Sequence, residues 1–122
     1  MCYTEKVAAW TLTYYETEQG RCPVQEYVDA LDGKEAARMT YGLDLLEAFG
    51  IVLGEPHTKS IGNKLWELRV IGRRHHRVLY FVVSGRRFVL LHAFLKKTRK
   101  TPRKEIETGK ARMADYIRRY GE

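Results

Sequence analysis

The residue types best suited to chemistry in this sequence are arginines and lysines concentrated in one stretch, Lys64 to Glu105. A guanidinium stays protonated in proteins and binds phosphate through two parallel hydrogen bonds, whereas an ammonium acts as a compact point charge. Arg69 and Arg77 fall on neighbouring predicted strands with their side chains on one face, so both could contact the same phosphate. The other cations of this candidate phosphate site are Lys64, Arg73, Arg74, Lys96, Lys97, Arg99 and Lys100.

Charge is divided unevenly along the chain of 122 residues, whose formal net charge is +7. Residues 1–58 contain four Lys or Arg against ten Asp or Glu, whereas residues 59–122 contain eighteen against five. One acidic half and one strongly basic half create an oriented field that attracts polyanions. The sequence therefore predicts a phosphate-rich partner that binds the second half of the chain.

The sequence offers few groups for metal-assisted chemistry near these cations. Glu67 is the nearby carboxylate, and metal-assisted phosphodiester cleavage would need clustered Asp or Glu. We therefore expect no metal and no cofactor, and any cleavage of nucleic acid would favour RNA, whose own 2′-OH can be the nucleophile. Three aromatic residues could stack on unpaired bases or could belong to the core: Trp66, Tyr80 and Phe94.

Hydrophobic periodicity predicts the strands that position these residues. Alternation predicts a first strand over Val7–Tyr15 and three later strands over Leu65–Ile71, Arg77–Ser84 and Arg86–Leu95. Ser84-Gly85 is typical of a tight turn, so the last two strands should pair as a hairpin. His92 lies inside the last strand, where it is either a hydrogen-bonded core residue or an acid–base group.

Helical spacing fills most of the remaining chain. A first helix is predicted to begin at Pro23 and stop at Gly33, and a second to run over Lys34–Phe49. Gly42 inside the second helix indicates a close approach to the first. A closing helix is predicted after Thr101-Pro102, with the threonine as its N-cap.

These elements predict one α+β domain spanning residues 1–122. We expect a mostly antiparallel sheet of about four strands, with an N-terminal αα-hairpin and a C-terminal helix packed on it. Ile51–Asn63, which contains two glycines and a proline, is expected to be a surface loop. Without a membrane-length apolar run or a signal peptide, and with two cysteines that lack metal-ligand spacing, a cytoplasmic location is predicted.

Four strings in the second half resemble the RelE/HigB toxins of bacterial toxin–antitoxin pairs, and most closely the phage-related branch of the RelE/ParE superfamily. They are LWELR, RVLYFV, VLLHAFLKKTRKTP and KEIETGKARMADY, and the resemblance covers about Lys64 to Tyr116. The LHAF-x-KK-T…TP string is the most specific of them. This resemblance implies a RelE-like fold and a small domain that enters the ribosomal A site and cleaves mRNA there. It also implies a partner antitoxin, usually with a helix-turn-helix DNA-binding domain.

The resemblance assigns roles to particular cations. In this family a sheet-face arginine contacts the scissile phosphate, and Arg77 falls at that position. Lys96 and Lys97 match the basic residues after the last strand that contribute to the transition state. Arg69 matches an arginine at the end of the preceding strand. The RNA-binding set would then comprise Lys64, Arg73, Arg74, Tyr80, Arg99 and Lys100.

The sequence also departs from the founding RelE proteins. Leu65 and Glu67 stand where those proteins carry lysines, and Glu105-Ile106-Glu107 lies where their closing helix carries a tyrosine. The general base therefore stays open among Glu67, His92 and Tyr80, with Glu67 and His92 ranked equally.

Two other functions fit the same resemblance. ParE relatives use this fold to inhibit DNA gyrase, and fold alone does not separate the two activities. Clustered cations would favour RNA, whereas dispersed cations beside an exposed apolar groove would favour protein binding. The third reading is an inactive phage-derived remnant that only binds its antitoxin.

Overall fold

The structure is a computed structural model that describes residues 10–122. Cys2 and the first part of the predicted strand Val7–Tyr15 lie outside the described residues. The strands are β1 (Thr11–Tyr14), β2 (Thr58–Gly62), β3 (Leu65–Ile71), β4 (His75–Val83) and β5 (Arg87–Lys96). The helices are α1 (Pro23–Asp29), α2 (Gly33–Phe49) and α3 (Arg103–Tyr120), with a short 3-10 turn over Gly50–Val52 after α2.

The chain is an α+β protein, but the expected sheet of about four mostly antiparallel strands is wrong. Five strands form one mixed sheet in the order β1-β5-β4-β3-β2, with β1 parallel to β5 and the other pairs antiparallel. The fifth strand, β2, lies within the predicted loop Ile51–Asn63. Its sequence TKSIG has little apolar alternation because it is an exposed edge strand. Alternation identified β1 as a strand but carries no information about its parallel partner.

The expected N-terminal αα-hairpin is also wrong, because α1 and α2 both pack mainly against the sheet. Contacts of α1 are chiefly with β5, and those of α2 chiefly with β3. A Cβ on Gly42 would lie 3.2 Å from Cγ2 of Val70, so this glycine permits close approach of a helix to a strand. Helical spacing predicted the apolar stripes correctly but not the surface that they meet.

The sheet is covered on both faces, which divides the apolar residues into two cores. The α1–α2 core lies between the sheet and the first two helices and includes Met39, Leu68 and Tyr80. The α3 core lies on the opposite face, where α3 meets Leu79 and Phe81. Alternate residues of β4 enter opposite cores, as expected for a strand covered on both sides.

A β-bulge in β5 decides which of its residues share a face with the candidate phosphate site. The pairing runs Tyr80 with Leu90 and Leu79 with His92, which leaves Leu91 as the extra residue. Leu91 is fully buried in the α3 core. Because a bulge reverses the alternation that follows it, His92 and Lys96 point to the α3 face.

Candidate nucleic-acid interface

Arg69 and Arg77 are direct cross-strand partners, which confirms that they project from one face of neighbouring strands. Between them lies Glu67, whose Oε2 is 3.7 Å from Nε of Arg69 and 3.2 Å from Nε of Arg77. Both Nε atoms are buried, and neither makes a hydrogen bond. Glu67 is only 2% exposed and Arg77 5%. Two guanidinium groups are therefore held side by side over a buried carboxylate.

Thr101, which lies in the segment that joins β5 to α3, contacts the same carboxylate. Its hydroxyl donates a 2.8 Å hydrogen bond to Oε1 of Glu67. The predicted role of Thr101 as N-cap is therefore wrong: Pro102 is the cap residue of α3 and makes no side-chain capping bond. The threonine hydroxyl instead satisfies the second oxygen of a buried carboxylate, which would otherwise cost free energy. The sequence held no signal for this contact across 34 residues.

Arg77 opens onto a cleft of about 590 Å³ where β4 begins and β5 ends, which we name the arginine cleft, whereas Arg69 is not among its lining residues. Its lining residues are Arg73, Arg74, His75, Arg77, Leu95, Lys96, Lys97, Thr98 and Arg99. Burial and the neighbouring Arg77 lower the pKa of Lys96 from its ordinary value. The arginine cleft therefore brings together six predicted site residues, one of which is the buried Arg77.

His92 lies on the same sheet face but belongs to a different group. Its Nε2 is 2.6 Å from Oε1 of Glu105, and Nη1 of Arg112 is 3.2 Å from its Nδ1. In the cross-strand row Glu67–Leu79–His92, the buried Leu79 separates the histidine from the carboxylate. Burial lowers the pKa of His92, although the hydrogen bond to Glu105 opposes this shift. His92 thus connects β5 to α3.

Five further predicted residues lie away from the arginine cleft. Tyr80 is buried in the α1–α2 core on the opposite face, where burial raises the pKa of its hydroxyl to about 12. Trp66 packs against the same core, and Phe94 stacks on the ring of His92. Lys64 forms an exposed ion pair of 2.5 Å with Glu122. Lys100 lines a neighbouring cleft instead.

A second cluster of titratable side chains, which was not predicted, lies on the sheet face that α1 and α2 cover. His76 is 2% exposed; its Nδ1 lies 2.6 Å from the Tyr27 hydroxyl and its Nε2 3.6 Å from Oε1 of Glu35. Arg74 donates two 2.7 Å hydrogen bonds to Glu35 and holds the pKa of that carboxyl at about 2. The adjacent pair His75-His76 was the available signal, since on a strand one of the two must point inward. Over residues 10–122, the structure places no three His, Cys, Asp or Glu side chains together as metal ligands.

The fold and this site define a small α+β domain with a cationic cleft at one end of a mixed sheet. The chain belongs to the family described as "Phage derived protein Gp49-like (DUF891)", whose model matches residues 26–114. The comparison with curated proteins gives no match. In the part of the chain that the structure describes, α1, α2 and α3 are all too short or too polar to cross a membrane.

Proposed function

We propose that this protein is the toxin of a type II toxin–antitoxin pair and acts in the cytoplasm as a ribosome-dependent, metal-independent mRNA endonuclease. Membership of the phage-derived Gp49-like family is compatible with a toxin-like role. A partner antitoxin, with a helix-turn-helix domain in the branch that the sequence resembles, would neutralise it. Cleavage of mRNA on the ribosome would inhibit translation.

The observation that carries the proposal is the arginine cleft, where Arg77 and Lys96 share a sheet face beside Arg69. In the proposed reaction, the 2′-hydroxyl of the RNA loses its proton to water and its oxygen attacks the adjacent phosphorus, so that a 2′,3′-cyclic phosphate forms as the bond to the 5′-oxygen breaks. Cations placed where the phosphorane oxygens gain charge stabilise this transition state. A lysine with a lowered pKa is suited to protonate the departing 5′-oxygen, and Lys96 has that property.

Glu67 has a different part in this proposal. Its carboxylate is nearly fully buried and is already engaged by Arg69, Arg77 and Thr101. We therefore assign Glu67 to orienting the two guanidinium groups rather than to accepting the proton of the 2′-OH. His92 is absent from the lining of the arginine cleft and is engaged by Glu105 and Arg112.

The proposal is tested by expressing the protein without its antitoxin and mapping mRNA ends on ribosomes. We expect growth arrest and new ends within translated reading frames, and normal growth with intact transcripts would contradict the proposal.

Lys96→Met should lower cleavage by about 100-fold or more, because one charge and one proton donor are lost. Arg77→Ala should abolish cleavage, but it also leaves Glu67 buried without that cation. Lys96→Met is therefore the cleaner variant, with Lys34→Met in the acidic half as its control.

A second candidate function, inhibition of DNA gyrase as in ParE relatives, is favoured by one surface feature. Phe49, Ile51 and Val52 at the end of α2 are 52%, 67% and 77% exposed. Exposed apolar residues in a cluster are typical of protein–protein contact sites. Capture of ribosomes against capture of gyrase from lysate separates the two functions. Capture of neither, with no effect on growth, would favour the inactive remnant.

A further inference from the structure

A second cleft, of about 770 Å³, lies against the arginine cleft on the other side of the segment that joins β5 to α3. The two clefts share Thr98 and Arg99, so this segment forms the wall between them. The second cleft is bounded by the β2–β3 turn and by the first turns of α3. We name it the isoleucine cleft, after Ile61 and Ile106. Its volume is in the range of small-molecule sites.

The lining of the isoleucine cleft combines apolar surface with positive charge. Ile61 and Ile106 are partly buried and pack against the α3 core below it. The cations that line it are Arg99, Lys100, Arg103 and Lys110, against one carboxylate, Glu107. Apolar surface with a cationic border suits a flat nucleobase attached to a phosphate backbone, and a guanidinium plane can stack on the base. Asn63, also in the lining, offers an amide donor and an acceptor to a base edge.

Side-chain hydrogen bonds hold the wall between the two clefts in place. Thr101 is bonded to the buried Glu67, which also holds Arg77 at the arginine cleft. Within the wall, the Thr98 hydroxyl donates a 2.7 Å hydrogen bond to the carbonyl of Lys100. The separation of the two clefts is therefore set by the same buried carboxylate that positions the phosphate-binding arginine.

We propose that the isoleucine cleft binds a nucleobase of a single RNA strand whose neighbouring phosphate occupies the arginine cleft. This inference rests on the proposed function and deepens it, because it assigns a binding site beyond the reacting phosphate. The strand crosses the wall at Thr98 and Arg99. Substrate preference at the nucleotide in the isoleucine cleft then depends on Asn63 and Arg103.

Two adjacent cations at the start of α3 provide a matched test. Arg103 lines the isoleucine cleft and Lys104 does not, although both side chains are exposed. Arg103→Glu and Lys104→Glu make the same change in net charge at nearly the same place. Binding of a six-nucleotide 2′-O-methyl RNA is measured by fluorescence anisotropy at one ionic strength, with the circular dichroism of each variant compared to the parent. This RNA has no free 2′-OH, so binding is measured without cleavage.

We expect Arg103→Glu to weaken binding by about tenfold, the loss of one stacking or phosphate contact, and Lys104→Glu by much less. RNA carrying 4-thiouridine should crosslink to peptides that contain Asn63 or Ile106. Equal weakening by both variants, crosslinks confined to other surfaces, or no binding by the parent protein would each overturn the inference. Intact binding at this cleft with no cleavage on ribosomes would contradict the proposed function alone.

Discussion

At the scale of single residues, the central feature is a carboxylate buried beneath two arginines. From the sequence, Glu67 is a candidate general base. In the structure its two oxygens face Arg69, Arg77 and Thr101. A buried ion pair contributes little net stability compared with apolar residues, but removing one partner leaves an uncompensated charge. This asymmetry makes Glu67 sensitive to substitution.

We predict that Glu67→Ala lowers the free energy of unfolding by about 3–5 kcal/mol, because Arg77 would keep a buried charge without its partner. Urea unfolding followed by circular dichroism measures the change. The control is Glu26→Ala, which removes an exposed pair with Arg21 and should leave the unfolding midpoint nearly unchanged. Equal effects of the two variants would mean that the Glu67 ion pair is not buried in solution.

At the scale of elements, the bulge in β5 and helix α3 depend on each other. Arg112 of α3 donates a 2.9 Å hydrogen bond to the carbonyl of Leu91, the extra residue of the bulge, and also faces His92. A bulge disrupts the ladder locally, so its backbone groups need other partners. The helix supplies that partner, and the bulge in turn places Lys96 on the same face as Arg77. The packing of α3 is close here, since a Cβ on Gly109 would lie 2.9 Å from Cδ1 of Leu79.

Arg112→Met should lower the free energy of unfolding by about 1–3 kcal/mol, because the buried carbonyl of Leu91 loses its donor. Methionine keeps most of the length of the side chain, so the loss reports the hydrogen bond more than the packing. Thermal or urea unfolding measures the change. Arg118→Met, on an exposed face of the same helix, is the control and should have little effect. If Arg112→Met unfolds at the parent's midpoint, the helix does not support the bulge.

At the scale of the whole molecule, a sheet covered on both faces has a buried histidine on one side and a half-buried histidine on the other. His76 lies under α1 and α2, and His92 lies under α3. Burial lowers the pKa of both, although Glu35 opposes the shift at His76 and Glu105 opposes it at His92. Each histidine therefore favours the neutral form in the folded state more than in the unfolded chain.

Stability should consequently fall in mildly acidic solution. The two neutral histidines contribute fully to the free energy of unfolding above the pKa of about 6.5 that histidine has in the unfolded chain. This contribution is lost as the pH falls through the lower pKa values that the histidines have in the folded state. We expect a lower urea midpoint at about pH 5.5 than at about pH 7.5, a window that lies above the titration of ordinary carboxyl groups. His92→Gln and His76→Gln should each reduce this pH dependence. A midpoint that does not change with pH in the parent protein would contradict the prediction.

The sequence by itself determined the local features of this protein. Alternation predicted β3 over Leu65–Ile71 and helical spacing predicted most of α2, because both patterns reflect burial of one face over consecutive residues. The spacing of Arg69 and Arg77 around a single turn was enough to predict that they share a face. These inferences depend only on residues that are close along the chain or that face each other across one hairpin.

Only the tertiary structure decided how distant segments meet. The parallel pairing of β1 with β5, the edge strand β2 and the bulge at Leu91 depend on partners far away in sequence, which periodicity does not identify. The bulge reverses the alternation in β5 and so places Lys96 beside Arg77 on the α3 face. The contact of Thr101 with Glu67 likewise exists because a buried carboxylate needs a donor, and the fold brings that threonine within reach.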